Sequence, residues 1–288
     1  MTTKTTARKS YSKPAASASA SAPAAAPRQA WIDLLETVAT KPGVVSEAYN
    51  RFHNYSVGNQ ILALTQCWAR GIEPGPMNTY KGWQRLGRQV QRGEKAIVLC
   101  QPLTVKSKDS DPDNPEFFTL FTYKPRWFVL AQTEGDDYAA PAPAGWDRAR
   151  ALAALNVTEV PFGQVDGNTM GYATSKGEVS VSPLAFNPMK TLFHELGHIV
   201  LGHIAPGQTL VDEDLPSDRA IIEAEAEAVA LVCLDALNLD GADHCRGYIQ
   251  GWLKGGRIPE KSAGRIFKAA DAILRAGRGA DEAEADEE

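Results

Sequence analysis

The sequence predicts an α+β protein built in two successive parts. Three observations predict it. Apolar residues recur at helical spacing near both ends, as in "WIDLLETVA" and "SDRAIIEAEAEAVALVCLDALN". Between them, apolar and β-branched runs, "KAIVLCQPLTV" and "FFTLFTYKPRWFVLAQT", flank the polar, turn-rich "KSKDSDPDNPE". A Pro/Ala/Gly-rich stretch, "EGDDYAAPAPAGWD", then separates the two parts.

Taken in order, residues 1–29 are Ala, Ser and Pro with nothing large to bury, and a disordered tail is expected. Residues 30–134 read as a small α+β domain. A helix starts near Trp31, with Leu34, Leu35 and Val38 on its apolar face, and a second, "GNQILALTQCWARG", ends on Gly71. A turn and short helix in "GPMNTYKGWQRLGRQV" lead to a hairpin across the polar loop. Residues 135–147 are the linker. Residues 148–278 form the second domain: a helix at "DRARALAAL", two short strands in "GNTMGYAT" and "GEVSVSP", then two helices rich in chemistry. Residues 279–288, ending in "DEAEADEE", read as a solvated acidic tail.

Composition excludes several classes. With 43% hydrophobic and 23% charged residues, the chain is an ordinary globular protein. Cys67, Cys100, Cys233 and Cys245 are far apart and lack C-x-x-C spacing, so they read as reduced thiols of a cytoplasmic protein. No apolar run approaches the roughly 18 residues of a membrane span, and no h-region follows the N-terminal lysines, so no membrane partner is expected. The net charge of −5 argues against a nucleic-acid binder, but its distribution is uneven. Between Lys41 and Lys108 there are ten Lys and Arg against Glu47, Glu73 and Glu94, a balance of +7. The same stretch holds Tyr49, Phe52, Tyr55, Trp68, Tyr80 and Trp83, with Asn54, Asn59, Gln60 and Gln84 as hydrogen-bonding groups. Cations beside aromatic faces suit a sequence-tolerant single-strand binder; packing of those rings in a core is the competing reading.

The sharpest motif is "NPMKTLFHELGHIVLGH", residues 187–203, with three of the five histidines. Asn187 and Pro188 are a helix start. His194 and His198, four apart, share one face and can bind one ion, with Glu195 beside it as general base. The competing reading is a buried helix whose histidines are satisfied by hydrogen bonds. A third ligand is sought in "IIEAEAEAVALVCL". Ile222, Ala226, Val229, Val232, Cys233 and Ala236 form one apolar face, and Glu225 falls inside it. A carboxylate there needs a strong partner, so Glu225 is the expected ligand. Glu223 is the alternative; otherwise Glu223 and Glu227 are solvated or bonded to a ligand histidine. The set favours zinc and would accept manganese or cobalt. "EVSVSP" alternates as an edge strand for a substrate, and its close approach would explain Gly197 inside the helix. His203 is expected to cap the helix end, Tyr172 to pack or bind an oxyanion, and His53 and His244 to be structural.

"RFHNYSVGNQILAL", "TYKGWQRLGRQVQRGEKAIVLCQP" and "WFVLAQTEG" resemble the N-terminal domain of ArdC-type antirestriction proteins. "TLFHELGHIVLGH" with "EAEAEAVALVCL" resembles their C-terminal metallopeptidase domain, related to ImmA/IrrE-type peptidases. Together they cover most of residues 31–240. The resemblance implies a single-stranded-DNA-binding domain joined to a zincin-like domain with a gluzincin-type site, an HExxH helix and a short antiparallel sheet. The related E-A-x-x-x-A pattern is matched by Glu225-Ala226 with Ala230, while the alternating acid run keeps Glu223 open. Tyr80, Lys81, Trp83, Arg85, Arg88 and Lys95 become the candidate DNA contacts. The expected function is a cytoplasmic, mobile-element-type, single-stranded-DNA-binding antirestriction protein with zinc-dependent metallopeptidase activity on a protein substrate. The alternatives are a stress-response peptidase cleaving a regulator, and a DNA-binding protein with a structural or latent zinc site.

Overall fold

Helices α1 (Trp31–Thr40), α2 (Val44–Phe52) and α3 (Val57–Arg70) open the computed structural model, which describes residues 30–106, 117–163, 169–204, 217–255 and 258–278. α1 and α3 stand where apolar spacing predicts them. α2 is additional, and its buried face is Val44, Val45, Ala48, Tyr49 and Phe52. The segments 1–29 and 279–288 and the loop at 107–116 lie outside the described residues.

After β1 (Met77–Thr79), α4 (Tyr80–Arg85) and β2 (Arg88–Val90), the expected hairpin forms from β3 (Ile97–Lys106) and β4 (Phe117–Val129). β1 adds to β4 in an antiparallel sheet of order β1-β4-β3, while β2 pairs with β5 (Thr133–Gly135). α3 blunts the open edge of β3 with two amide side chains. Asn59 and the Cys100 backbone exchange two hydrogen bonds of 2.9 Å, and Gln66 does the same with Val98 at 2.8 and 2.9 Å. Beyond this cover the hairpin continues alone, with both faces exposed from Pro102 to Thr104 and from Phe117 to Phe121.

The second part holds α5 (Arg148–Ala154), β6 (Thr158–Glu159), β7 (Gly171–Ala173), β8 (Glu178–Val181), α6 (Pro188–Leu201), α7 (Ser217–Ala236), α8 (Ala242–Gly255) and α9 (Glu260–Arg278). Two expectations are corrected here. The sheet is mixed rather than antiparallel: its order is β6-β8-β7, with β6 parallel and β7 antiparallel to β8. The strand of "EVSVSP", β8, is therefore central, and β7 lies at the edge. The alternation misled because both Val179 and Ser180 are buried, Ser180 by donating its hydroxyl to the Val160 carbonyl at 2.9 Å.

The core also differs from a two-domain picture. The boundary at 135–147 separates the sheets but not the hydrophobic interior, which runs from α1–α3 into α6–α9 as one cluster. α7 is its axis, packed against α2, α6, α8 and α9 and buried at every residue from Ala224 to Ala236. The first three helices lack side-chain caps of their own. Acids from the other end of the chain supply them. Glu260 accepts from the Trp31 and Ile32 amides, both at 2.9 Å. Asp235 accepts from Gly43 and Val45 at 3.3 and 3.1 Å, and Asp271 from Val57 at 3.1 Å. A carboxylate at a helix N-terminus satisfies orphan donors and meets the positive end of the dipole. No helix among the described residues is long and apolar enough to cross a membrane.

These caps predict unequal losses on truncation. Glu260→Ala should cost about 1 kcal/mol, as an exposed cap does. Asp235→Ala should cost more, about 2–4 kcal/mol, because it also takes the 3.5 Å acid partner from buried Arg246. Urea titration of the whole chain checks both; equal, negligible shifts would contradict the account.

Candidate metal centre

α6 begins as its sequence requires. The Asn187 side chain accepts from the Lys190 amide at 2.9 Å, and Pro188 occupies the first turn. The helix ends on Gly202, whose φ of 70° is left-handed, and the His203 amide closes back on the His198 carbonyl at 3.0 Å. Lys190, His194 and His198 follow at four-residue intervals and share a face. That face meets α7. Gly197 lets the two helices approach: a Cβ there would stand 3.2 Å from the Ala226 Cα. The glycine thus serves a helix crossing, not the strand approach expected for it.

Three donor atoms converge where the helices meet. His194 Nε2 and His198 Nε2 are 3.0 Å apart, and the Glu223 carboxylate lies 3.2 and 3.5 Å from them. Among the described residues, His194, His198 and Glu223 form the group with metal-ligand geometry. Ligands about 2.0–2.2 Å from a tetrahedral ion stand about 3.3–3.6 Å apart. The triangle has nearly that size, so the donor set fits a divalent ion with little rearrangement.

The expected ligand Glu225 is not in this group, and its alternative Glu223 is. The reason lies in α7. The choice of Glu225 assumed one apolar face, but a helix buried all round has none to reason from. Glu223 and Glu227, four apart, both point at α6. Glu225 stands about 200° away on an ideal helix and accepts from His203 Nε2 at 2.8 Å, with Arg265 at 3.5 Å. The ligand carboxylate is also the least buried of the three, as a site open to substrate requires.

The hydrogen bonds around the triangle accommodate one consistent set of tautomers when an ion takes both Nε2 atoms. With both Nε2 lone pairs facing inward, His194 Nδ1–H donates to Glu227 at 3.0 Å, and Glu227 also binds the Lys190 ammonium at 2.9 Å. His198 Nδ1–H donates to His203 Nδ1 at 3.0 Å, and His203 passes the chain on to Glu225. His203 therefore supports a ligand through its ring and caps the helix through its amide. Sequence reasoning missed this role and that of Lys190. The signal for Lys190 was its place four residues before His194; His203 gave none, because Gly202 turns the chain under the helix.

The electrostatics show a site built for positive charge. Burial pushes the His194 imidazole down, but its bonds to Glu223 and Glu227 outweigh this and hold its pKa up at about 10. Burial, the largest influence on His198, lowers its pKa. For Glu227, burial acts upward and is overcome by His194 and Lys190, which bring it to about 2. Glu223 is likewise driven far below the carboxylate range, against its own burial, by the two imidazoles. Glu195 is buried beside the edge strand: a Cβ on Gly171 would lie 3.3 Å from its Cγ. Tyr172, next on that strand, packs on Phe162.

The candidate DNA contacts divide. Trp83 is a core residue, 1% exposed, donating to the Phe128 carbonyl at 2.7 Å and packing edge-on to Tyr138. Arg88 is half-buried and already engaged, donating to the Thr133 hydroxyl at 2.8 Å and to the Asp136 carbonyl. Tyr80, Lys81, Arg85 and Lys95 are on the surface. Of the amide groups, Asn59 pairs with β3 and Gln60 donates to the Tyr55 carbonyl. All four cysteines are buried thiols outside any disulfide among the described residues.

Metal analysis of purified variants tests the ligand assignment. Glu223→Ala should lose the ion during chelating chromatography. Glu225→Ala should keep it with about 10–100-fold weaker affinity, the usual effect of removing a ligand's support. The reverse ranking would contradict the geometry.

Residues 25–137 match the family model for the N-terminal domain of anti-restriction factor ArdC. No match was found among curated proteins. The similar solved structures include two of the antirestriction ArdC protein from plasmid R388. The metal-free form shares 17% identity with a TM-score of 0.48, covering 86% of this chain and 94% of that one. The Mn(II)-bound form shares 18% with a TM-score of 0.50, covering 87% and 99%. Residues 25–137 are thus an ArdC-type N-terminal domain, and the described residues share the fold of the R388 protein.

Proposed function

We propose that the chain is a cytoplasmic antirestriction protein that binds single-stranded DNA through its N-terminal part and hydrolyses a protein substrate at a divalent ion in its C-terminal part. The observation that carries the catalytic half is the His194–His198–Glu223 triangle beside buried Glu195. The likeness to a protein solved with Mn(II) supports a divalent ion, and the nitrogen and oxygen ligands suit zinc equally. An ion held by His194, His198 and Glu223 would supply a Lewis acid able to polarise a carbonyl and acidify water. Glu195 takes the proton of the attacking water and returns it to the leaving amine. Glu227 and Lys190 hold the His194 ring, and Glu225 with His203 holds that of His198. A peptide added to the edge of β7, open among the described residues, would run beside α6, on which Gly171 lets the strand pack closely.

For the DNA half, the support is the ArdC-type domain, the +7 balance between Lys41 and Lys108, and the exposed Tyr80, Lys81, Arg85 and Lys95. Buried thiols outside any disulfide accord with the cytoplasm. A second reading, a structural ion with protection by DNA binding alone, is favoured by the burial of His198 and Glu195, 2% and 8% exposed.

Glu195→Gln separates the two. It should retain the ion and lower peptide hydrolysis by about 10²–10⁴-fold. Full antirestriction activity in that variant supports the second reading; full peptidase activity sinks the mechanism. DNA affinity should fall steeply with salt, with a log–log slope near −0.7 per phosphate neutralised. A flat anisotropy titration between low and moderate salt would remove the basic surface from the account.

A further inference from the structure

A cleft of about 370 Å³ opens beside the candidate metal centre, and the chemistry above leaves its space unused. It lies over Lys190 and Thr191, one helical turn before His194 and Glu195. Glu227 belongs to its floor as well as to the centre, since it bonds the His194 ring at 3.0 Å and the Lys190 ammonium at 2.9 Å. The edge strand β7 starts here too. Met170, just before it, lines the cleft, and Gly171 packs on Thr191. A peptide laid along β7 therefore passes the mouth of the cleft close to the donor triangle. A helical turn, about 5.4 Å, spans fewer than two strand positions of about 3.3 Å.

The walls are apolar and come from three separate segments. Met170 precedes β7, Phe186 precedes α6, and Tyr248 stands on α8 beside His244. Met170, Phe186 and Tyr248 are large yet 42%, 91% and 46% exposed, and the Phe186 and His244 rings are 6.1 Å apart. Apolar groups from distant parts of a chain that converge on a cleft without filling it mark a ligand site. The Asn187 side chain donates to the Asp240 carbonyl at 2.6 Å and so ties the start of α6 to that of α8. The walls are thus set before anything binds. The floor selects the occupant. Lys190 and Glu227 neutralise each other, so an acidic or a basic guest finds no free counter-charge there. A neutral ring meets aromatic faces and a thioether on three sides.

We propose that this cleft is the specificity pocket of the centre and takes an aromatic side chain of the peptide substrate, within about two positions of the bond that is cut. Tyr248 and His244 of α8, with Phe186 and Met170, are its specificity-determining residues. The proposal rests on the peptide-hydrolysis reading above and adds to it the class of residue that the substrate presents.

The test is calorimetric titration of the full chain loaded with Zn(II). The probes are three succinyl hydroxamates that chelate the ion and differ in one side chain: benzyl, methyl or carboxymethyl. The benzyl compound should bind at least about tenfold more tightly than the methyl one, as burial of a ring predicts. His244→Trp, at an exposed position, fills the cleft and should cut that advantage below about threefold. Phe186→Ala removes a wall and should reduce it by an intermediate amount. The ratio within each variant is the readout, so a general loss of metal affinity cancels, and circular dichroism checks folding. A benzyl advantage of wild-type size in both variants would place the ring elsewhere and overturn the pocket, while chelation of all three compounds leaves the metal reading standing. Equal affinity for benzyl and methyl, or tightest binding of the carboxymethyl compound, would overturn it in the same way. If no ion is retained or no hydroxamate binds, the centre fails and the pocket with it.

Discussion

α7 is buried on every side and carries three glutamates in alternation, and the structure is organised around that conflict. A buried carboxylate without a partner costs several kcal/mol, and breaking a buried pair costs about 3–5 kcal/mol. Each acid therefore dictates what must face it. Glu223 and Glu227 demand positive charge from α6, and His194 and Lys190 provide it, with the His198 ring beside Glu223. Glu225, on the other side, demands His203 and Arg265. The candidate metal centre is the point where this need is greatest: two imidazoles and a carboxylate lie together, and a cation between them would settle all three.

The same helix ties the N-terminal part to the centre. At the end of the same buried run, Asp235 caps α2, and Glu260 and Asp271 cap α1 and α3 from α9. These contacts join residues some two hundred positions apart. The ArdC-type segment ends at 137, yet its helices are completed by acids that follow it. The helical layer of the N-terminal part and the candidate metal centre consequently share one hydrophobic core. What projects from that core is the outer half of the β3–β4 hairpin.

Much of this was legible in the chain. The α6 helix was marked at both ends, by Asn187-Pro188 and by the glycine after its last turn, and H-E-x-x-H spacing put both histidines on one face. The hairpin and α3 followed from period and turn chemistry. What failed did so for one reason: local pattern does not reveal how many sides of an element are covered. For α7 it suggested a single face and so favoured Glu225. For β8 it suggested an edge where Val179 and Ser180 are buried together. For Trp83 it suggested a stacking ring where the indole is a core side chain bonded to Phe128. The caps of α1–α3 were invisible because their acids belong to distant sequence, and α2 because its apolar face lies in a short, polar-looking stretch.

The measurement that bears most directly on the role of α7 is anomalous X-ray scattering from a crystal of the protein grown with Mn(II) or Zn(II). The account predicts one strong peak between His194 Nε2, His198 Nε2 and the Glu223 carboxylate, with Glu225 still bonded to His203. A peak bound by Glu225, with Glu223 turned to solvent, would contradict it.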